Sequence, residues 1–305
     1  MDRPLHLRLE THSQTPRFHI GVDGGGTGTR LRLAEAGGAE IGFGEAGPSA
    51  LGQGIDQAWR HVLQALDQAC ACARISRPNL ADCAIGLGLS GAAMPEQALA
   101  FLSCQPGFAH VVLDNDGFTS VLGAHGGRPG AVLAAGTGTV GEALRQDGTR
   151  AMVSGWGWIN GDEGSGAWLG LRAMRHAQQA LDGRVEPGSL ARAIWELAGT
   201  QRAELLAWCA AAGQHGHAQL APLVFEHEAA DAVAADLIAE ALVELQRLLR
   251  ALDPAQALQV ALTGSIARRL AARFPASDRA RFVEPEGDSA AGALLLLWRV
   301  LGSAS

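Results

Sequence analysis

The sequence has no apolar run long enough to cross a membrane. Its longest uninterrupted run, residues 293–298, falls far short of the roughly 20 apolar residues that a membrane helix needs. Residues 1–16 are polar and of mixed charge, so we expect a loose N-terminal extension there and not a secretory signal. These absences predict a protein without a membrane partner.

Cysteine and positive charge are also scarce. The five cysteines, at positions 70, 72, 83, 104 and 209, lack the paired spacing of a metal site, which favours buried, reduced thiols and a cytoplasmic location. The net charge of −7 argues against nucleic acid or an acidic membrane as the main partner. The length of 305 residues, with 48% hydrophobic and 18% charged residues, suits a globular protein of two domains or one large domain.

Glycine, in contrast, is abundant: the 40 glycines are about twice the usual share of ~7%. In residues 18–34 an apolar run ends at Asp23, a glycine-rich turn follows, and apolar alternation then resumes, which predicts two strands joined by a tight turn. The turn consists of Gly24, Gly25, Gly26, Thr27, Gly28 and Thr29. Its amides and hydroxyls could bind phosphate, and Asp23 could hold a hydrated magnesium ion. A glycine hairpin without any ligand would show the same pattern.

Beyond residue 34, alternating helices and strands are predicted, which favours an α/β sheet with its site at the strand ends. Residues 40–54 are glycine-rich and predict a loop. Buried strands are predicted at 82–89, 110–113, 131–135 and 260–262, and helices at 55–73, 95–102, 118–124, 168–181, 189–197, 202–211, 231–252 and 289–301. Asp288 or Ser289 is the predicted N-cap of the last helix.

A second phosphate-type turn follows the strand predicted at 131–135. It consists of Gly136, Thr137, Gly138 and Thr139. Two such turns could hold a triphosphate from both sides, whereas a plain connection after a strand would bind nothing.

A third glycine-rich zone, residues 155–166, contains two tryptophans. A tryptophan among glycines, such as Trp156, can stack on the apolar face of a sugar, and Asp162 could accept hydrogen bonds from sugar hydroxyls. In the alternative interpretation the tryptophans fill gaps and the acidic residues favour a helix N-terminus. We prefer that alternative for Trp158.

Asp114 and Asp116 follow a predicted strand, and on an extended segment both side chains would point to the same face. A positioned aspartate can accept the hydroxyl proton in phosphoryl transfer. The alternative is a structural carboxylate that bonds a neighbouring turn, which we prefer for Asp114. His215 and His217 are predicted to lie in a solvated loop.

With these motifs in order, the sequence from Phe18 onward resembles the actin/hexokinase/heat-shock-ATPase superfamily. It is most similar to the bacterial glucosamine kinase and N-acetylglucosamine kinase branch, which is grouped with the BadF/BadG-type ATPases. The markers are the segments at 21–27, 115–117, 136–139, 161–166 and 263–266.

The resemblance implies an α/β fold of two ribonuclease-H-like lobes, the actin-like ATPase architecture, with ATP and sugar in a central cleft. The implied N-terminal lobe spans residues 17–124 and is completed by a closing helix at 289–303. Residues 125–288 would form the C-terminal lobe. Related kinases are often dimers, so a homodimer is implied as well.

The resemblance also implies roles for single residues. Asp116 falls at the position of the catalytic base, and Asp23 at the magnesium and phosphate position. The implied ATP-binding residues are Gly24, Gly25, Gly26, Thr27, Thr29, Gly136, Thr137, Gly138, Thr139, Gly264 and Ser265. The implied sugar-binding residues are Ser49, Asp116, Thr137, Trp156, Gly157 and Asp162.

Two departures from the branch concern the sugar. Its sugar kinases usually carry an asparagine in the loop after the second strand, where this chain has residues 47–51 and Ser49 as the replacement. Segments 123–125 and 170–172 are similar to glucosamine kinases, which tend to lack the Trp-Gly and Gly-Asp-Glu sequences found here.

The implied function is magnesium-dependent transfer of the ATP γ-phosphoryl group to the 6-hydroxyl of an amino sugar. N-acetylglucosamine is the preferred substrate and glucosamine the alternative. A BadF-type ATPase that activates electron transfer is a further alternative.

Overall fold

The structure, a computed structural model, describes residues 7–10 and 15–302. The strands are β1 (Leu7–Glu10), β2 (Phe18–Gly24), β3 (Thr29–Glu35), β4 (Glu40–Ala46), β5 (Cys83–Leu89), β6 (His110–Asp114), β7 (Gly130–Ala135), β8 (Thr139–Leu144), β9 (Arg150–Ser154), β10 (Val260–Thr263) and β11 (Phe282–Val283). The helices are α1 (Ile55–Ala73), α2 (Pro95–Ser103), α3 (Asp116–Ala124), α4 (Gly166–Leu181), α5 (Ser189–Ala198), α6 (Arg202–Ala218), α7 (Ala221–His227), α8 (Ala232–Leu252), α9 (Ser265–Leu270), α10 (Ala276–Arg279) and α11 (Ser289–Leu301). Within the described ranges, no helix has the length and apolar character that a membrane span requires.

The described residues form two compact units. Unit 1 consists of the residues up to Gly130 together with residues 144–149 and 284–302. Unit 2 consists of residues 131–143 and 150–283. Each unit has its own sheet and its own apolar core.

Unit 1 is built on a six-stranded sheet with the order β1-β6-β5-β2-β3-β4. Strands β2, β5 and β6 are parallel, whereas β3 and β4 extend the sheet by antiparallel pairing. Successive side chains of a strand point to opposite faces. Ile20 and Val22 of β2 therefore face the core that also contains Trp59 and Leu66 of α1, and Gly21 faces the opposite side.

Helix α11 covers that opposite side and approaches the backbone of its neighbours closely. Gly21 and Gly86 are register partners on β2 and β5, and a Cβ on either would lie 2.2 Å from a carbonyl oxygen of α11. Gly292 of α11 approaches α3 in the same way, since a Cβ there would lie 1.8 Å from the carbonyl oxygen of Thr119. Glycine at these positions fixes where α11 lies on the sheet.

A polar contact holds the start of α11. Arg32 of β3 donates two hydrogen bonds to the carboxylate of Asp288, each 2.9 Å long. Asp288 also accepts a hydrogen bond of 2.9 Å from the N–H of Ala291, which confirms it as the N-cap of α11. One aspartate therefore ties the helix to the sheet.

Unit 2 contains a five-stranded sheet with the order β11-β10-β7-β8-β9. Strand β10 pairs in parallel with β7 and with β11. Helices α4 to α9 pack around this sheet through residues such as Leu169, Ile194, Leu245 and Ile266. The leucine-rich face of α8 is part of this core, as its spacing indicates.

Two predictions about local structure are wrong. Residues 7–10, expected in a loose extension, form β1 and pair with β6 in antiparallel register; residues 1–6 and 11–14 of that extension lie outside the described residues. Residues 40–46, expected in a loop, form β4. A Cβ on Gly42 or Gly44 would lie 2.3 Å or 2.0 Å from a carbonyl oxygen of α1, so these glycines allow helix packing and do not mark a turn.

The other predicted helices and strands are confirmed with small shifts at their ends. Strands β8 and β9 were not predicted. Helix α6 continues to Ala218, beyond its predicted end, after a break at Gly213, whose φ of 54° is non-helical.

The close packing of α11 predicts that Gly292→Ala destabilises unit 1. The new methyl group would lie 1.8 Å from the backbone oxygen of Thr119, which cannot rotate away. We expect the free energy of unfolding in urea to fall by about 1–3 kcal/mol, although alanine is by itself the better helix former. Gly37→Ala is the control, because a Cβ at Gly37 meets nothing within 4 Å. Equal stability of the two variants would contradict the packing.

Candidate active site

The hairpin between β2 and β3 is an open turn lined by glycine. The N–H of Gly25 donates across it to the carbonyl of Gly28 over 3.0 Å. A Cβ built on Gly25 would meet nothing within 4 Å, so no packing within the protein requires glycine there. Thr27 is exposed at the tip. This geometry leaves room for a ligand to approach the backbone closely.

The base of the hairpin is closely packed. A Cβ on Gly24 would lie 2.1 Å from Oγ of Ser49. The hydroxyl of Thr29 lies 2.7 Å from the same Oγ and 2.6 Å from the carbonyl oxygen of Gly47. Both side chains are buried, that of Ser49 completely. The structure therefore gives Ser49 and Thr29 a supporting role, and their contacts with sugar and ATP stay predictions.

A cavity of ≈ 340 Å³ opens at the hairpin. Its lining consists of Asp23, Gly25, Thr27, Gly28, Thr29, Arg30, Glu45 and Ala46. The guanidinium of Arg30 lies 3.8 Å from the carboxylate of Asp23 and 3.7 Å from that of Glu45. The chain contains no lysine, so Arg30 brings to this cavity the cation type that suits phosphate oxygens.

Asp23 lies at the carboxyl end of the parallel strands. Asp23, Gly88 and Asp114 are register partners across β2, β5 and β6. Polar residues at this edge of an α/β sheet are where ligands bind in related architectures. Asp114 is buried, and its Oδ1 accepts a hydrogen bond of 2.8 Å from the N–H of Asn115. That contact supports the structural role preferred for Asp114.

The expectation that Asp114 and Asp116 share one face of an extended segment is wrong. Asn115 ends the extended segment and caps α3, accepting a hydrogen bond of 2.7 Å from the N–H of Phe118. Asp116 is therefore the first residue of a helix, where the exposed N–H groups favour a carboxylate. Its own Oδ1 accepts from the N–H of Gly117 over 3.1 Å.

The carboxylates of Asp23 and Asp116 share a region of excess negative charge. The pKa of Asp23 is raised to about 6, mainly by burial and also by the negative charges of Asp116 and Asp288, against a hydrogen bond from Ser289 and the charge of Arg30. Burial also raises the pKa of Asp116, although backbone N–H groups oppose the shift. Uncompensated charge of this kind suits a divalent cation and an acceptor of protons.

The residues present fit magnesium in the form that it usually takes with nucleotides. Magnesium keeps several waters and binds one or two carboxylates together with phosphate oxygens. Among the residues that the structure describes, no group of three or more His, Cys, Asp or Glu side chains is arranged for a metal ion. Asp23, beside the open cavity, is placed to supply a single carboxylate of that kind.

In unit 2, the turn between β7 and β8 lies against the start of α4. The N–H of Gly136 donates to the carbonyl of Gly138 over 3.0 Å, and the N–H of Gly166 donates to the carbonyl of Gly136 over 2.7 Å. Thr137 is exposed and Thr139 is buried. These backbone hydrogen bonds thus hold the turn, on which Thr137 remains exposed.

Asp162 is fixed beside this turn. A Cβ on Gly138 would lie 2.6 Å from its Oδ2, so glycine is needed there. Backbone groups of Thr139 and Gly157 hydrogen-bond to the carboxylate, and Nε2 of Gln214 lies 3.2 Å from it. Burial raises the pKa of Asp162 despite these bonds. The predicted sugar contacts Gly157 and Asp162 are therefore linked to each other and to the turn at residues 136–139, called here the phosphate turn after its predicted role.

The two tryptophans of this zone differ sharply in environment. Trp156 is 84% exposed, the greatest exposure among the large hydrophobic residues described. The ring of Trp158 lies 5.4 Å from that of His217, which Trp208 contacts from another side at 5.3 Å. The contact with His217 supports the packing role preferred for Trp158. His217 is buried within α6, so its assignment to a solvated loop is wrong.

A cavity of ≈ 220 Å³ in unit 2 was not predicted from the sequence. It lies between the phosphate turn and α9, and its lining consists of Gly136, Thr137, Gly166, His215, Ala218, Gln219, Ala221, Pro222, Phe225, Ser265, Ile266 and Arg269. Arg269 lies over the ring of Phe225 at 4.5 Å. The volume is below the ~300 Å³ of most small-molecule pockets and suits part of a ligand. The apolar positions of three separate helices form its walls, which no local sequence motif could indicate.

The cysteines only partly fulfil the prediction of buried thiols. All five are free, and Cys70 and Cys83 are buried, but Cys72 and Cys104 are exposed. Burial raises the pKa of the Cys83 thiol to about 12, with a smaller contribution from the charge of Asp82.

Residues 20–296 match the family model of the BadF/BadG/BcrA/BcrD ATPases. The chain belongs to this ATPase family. The match covers both units, including the hairpin, Asp116, the phosphate turn and most of α11.

Several relatives of this family member are named sugar kinases. The glucosamine kinase GspK of Vibrio cholerae is 30% identical over 279 residues, which are 91% of this chain and 95% of that protein. An N-acetyl-D-glucosamine kinase of Dictyostelium discoideum is 26% identical over 227 residues, or 68% of this chain and 70% of that protein. The crystal structure of a candidate N-acetylglucosamine kinase from Chromobacterium violaceum is 46% identical, with a TM-score of 0.89 over 93% of this chain and 100% of that one.

These comparisons confirm the predicted family and the predicted α/β, actin-like ATPase fold class. The predicted site residues divide between the units. Unit 1 holds Asp23, the hairpin, Ser49 and Asp116, and unit 2 holds the phosphate turn, Trp156, Gly157, Asp162, Gly264 and Ser265.

The charge on Asp23 predicts a stability difference that depends on pH. Its pKa is raised from 3.8 to about 6, so the folded protein keeps a proton that the unfolded chain loses at lower pH. Wild type therefore loses stability as the pH rises from about 4 to about 6, and Asp23→Asn avoids that loss. We expect the variant to be more stable above pH 6 by up to about 3 kcal/mol, with the difference disappearing below pH 4.

Urea unfolding at pH 4 and pH 7.5 measures this difference. The control is Glu196→Gln, which removes an exposed carboxylate of α5 and should behave as wild type at both pH values. Identical stability of wild type and Asp23→Asn at pH 7.5 would contradict the assignment of a raised pKa to Asp23.

Proposed function

We propose that the protein transfers the γ-phosphoryl group of ATP to the 6-hydroxyl of an amino sugar, N-acetylglucosamine in preference to glucosamine. The observation that carries the proposal is the electrostatic interaction of Asp23, at the end of β2 beside the open glycine hairpin, with Asp116 at the start of α3. The sugar-kinase names of the relatives give the class of acceptor.

Asp116 is the proposed catalytic base. Phosphoryl transfer to a hydroxyl needs a group that accepts its proton, and a base works best when its pKa is close to the working pH. Burial raises the pKa of Asp116 in that direction, and its place as the first residue of α3 fixes its backbone. The fixed backbone and the raised pKa of Asp116 both support this role.

Asp23 is the proposed metal-side carboxylate. A bound magnesium ion would screen the charge of the transferring phosphoryl group. The excess negative charge around Asp23 supports this role, since a cation would relieve it. Gly25, Gly26 and Thr27 would contact the phosphate oxygens at the hairpin, with Gly24 and Thr29 holding its base.

Unit 2 would bind the rest of the nucleotide. Ala218, Pro222 and Phe225 form apolar walls of the cavity of ≈ 220 Å³, and Ser265 adds a polar group to its lining. Apolar walls with a few polar groups are typical of small-molecule sites and would suit a nucleoside. Gly264 has a φ of +83°, and a Cβ there would lie 2.3 Å from the carbonyl of Ala135, so this residue must be glycine. The turn Gly136–Thr139 at the cavity edge would receive phosphate oxygens.

The sugar would contact the segment around Asp162. Trp156 offers an exposed ring for stacking, and Asp162 offers a carboxylate already oriented by its backbone partners. Thr137 and Ser49 are the other proposed contacts. The similarity to a candidate N-acetylglucosamine kinase, 46% identical, supports the N-acetylated sugar, while the Vibrio cholerae relative keeps glucosamine as the alternative.

We also propose a homodimer in the cytoplasm with no nucleic-acid or membrane partner. The net charge of −7 supports the absence of a polyanionic partner. Gel filtration with light scattering would measure the oligomeric state.

The assignment of the base predicts that Asp116→Asn lowers kcat by about 10²–10⁴-fold, because the amide cannot take the hydroxyl proton. ADP affinity, measured by calorimetry, should be retained. Asp56→Asn is a matched control, since Asp56 is an exposed carboxylate that also lies in the first turn of a helix, α1. Near-normal turnover of Asp116→Asn would disprove the assignment.

An ATP-coupled activity screen tests the substrate directly. N-acetylglucosamine, glucosamine, N-acetylmannosamine and glucose are each offered with Mg²⁺-ATP, and we expect the highest kcat/KM for N-acetylglucosamine. Higher kcat/KM for glucosamine would transfer the assignment to that sugar. No turnover on any of them, together with the brown colour of an iron–sulfur cluster, would favour the BadF-type activator instead.

A further inference from the structure

Ser289, the first residue of α11, places a buried hydroxyl near the carboxylate of Asp23 and the backbone carbonyl of Asp116. Its side chain interacts with the carboxylate of Asp23 and opposes the rise in the pKa of that residue. The same Oγ lies 2.7 Å from Oγ1 of Thr119 and 3.4 Å from the carbonyl oxygen of Asp116. Ser289 is only 7% exposed, so all three contacts are made inside the protein.

The number of protons available for donation determines the direction of these hydrogen bonds. A hydroxyl has one proton to donate, and an ionised carboxylate can only accept. With Asp23 ionised, Ser289 donates to Asp23, and Thr119 can donate to Ser289 or to the carbonyl of Asp116, 3.1 Å away. When Thr119 donates to Ser289, the hydroxyls of α3 and α11 therefore form a chain of hydrogen bonds directed at the carboxylate of Asp23 on β2.

The stability of α11 does not require this hydroxyl. Asp288 already caps the helix through the N–H of Ala291. A buried hydroxyl costs free energy unless it is hydrogen-bonded, so an alanine would be the simpler residue for a packed helix start. The partners of Ser289, not the helix, account for a serine at this position.

The position of Ser289 is tightly constrained. The neighbouring Asp288 is held by two hydrogen bonds from Arg32, and Gly292 packs against the carbonyl of Thr119. A donor fixed in this way keeps its direction without a further entropy cost when substrate binds. Ser289 can therefore orient Asp23 more precisely than a surface side chain could.

We propose that Ser289 is a positioning residue, which orients the carboxylate of Asp23 for the magnesium–nucleotide complex and joins it to the start of helix α3, which carries Asp116. This inference rests on the proposed function for the identity of the reaction. The structural part of the inference is that the hydroxyl of Ser289 contacts both the carboxylate of Asp23 and helix α3, which begins at Asp116.

The test compares Ser289→Ala with Ser120→Ala. Ser120 is the matched control because its hydroxyl also donates to the carbonyl of Asp116, over 2.7 Å, from a position on α3 one turn from that residue. The first readout is the affinity for ADP with and without Mg²⁺, measured by calorimetry on the full chain. We expect the gain in affinity due to Mg²⁺ to fall about 10-fold in Ser289→Ala, as expected for a lost hydrogen bond to a charged group, and to be unchanged in Ser120→Ala.

The second readout is steady-state kinetics. We expect kcat of Ser289→Ala to fall about 10-fold to 100-fold while KM for the sugar stays near that of wild type. Ser289→Thr keeps the hydroxyl and should recover most of the lost kcat. If Ser289→Ala does not fold, Ser289→Cys, with similar volume and a weaker donor, replaces it in both measurements.

Two results would overturn the proposal. One is a Mg²⁺-dependent gain in ADP affinity that is the same in wild type, Ser289→Ala and Ser120→Ala, or absent from wild type. The other is a loss of kcat in Ser289→Ala that Ser120→Ala reproduces in full. The ADP measurement needs no sugar, so a reduced gain in Ser289→Ala supports the positioning role even if every sugar fails as a substrate.

Discussion

The close approach of α11 to β2, β5 and α3 is the constraint on which the rest of unit 1 depends. Gly21, Gly86 and Gly292 leave no space for a side chain, so the backbone of the helix lies directly on the sheet and on α3. Interiors are packed at crystal-like density, and contacts of this kind cannot shift gradually. The helix start is thereby held at the strand ends, where Ser289 contacts Asp23.

The consequence is a site with two partly buried carboxylates, Asp23 and Asp116, whose ionisation lowers the stability of the folded protein. Burial raises the pKa of both Asp23 and Asp116, and the negative charge of Asp116 adds to the rise for Asp23. Structural carboxylates in the same unit behave differently: Asp288 is paired with Arg32, and its pKa is lowered. Carboxylates left without a full partner are typical of a site that receives a cation or a proton during turnover.

Unit 2 is organised differently, because its predicted binding residues lie on backbone turns. The turn at Gly136 is fixed by the start of α4, and Gly138 allows the carboxylate of Asp162 to approach it closely. Gly264 lets β10 pass into α9 beside the same strand end. Glycine therefore has two functions in this chain. In unit 1 it allows helices to pack closely on the sheet, and in unit 2 it allows a polar side chain to lie close to a turn.

The sequence by itself determined the local features: the hairpin, the second turn, most helices and strands, the family, and Asp116 as the candidate base. These depend on periodicity and on residues adjacent in the chain, which a linear pattern records. It could not place Asp116 at a helix start, since the capping bond of Asn115 decides where the strand stops. The glycines at 42 and 44 predict a loop but pack against α1, because turn glycines and packing glycines look alike when their neighbours in space are unknown.

Only the tertiary structure decided which distant groups meet. Ser289 reaches Asp23, and α6, α7 and α9 enclose the cavity beside Ser265, because packing fixes distances between residues that are far apart in the chain. No local motif encodes such contacts, since each partner alone is an ordinary serine, alanine or phenylalanine. The residue types were present in the sequence, and the fold gave them their partners.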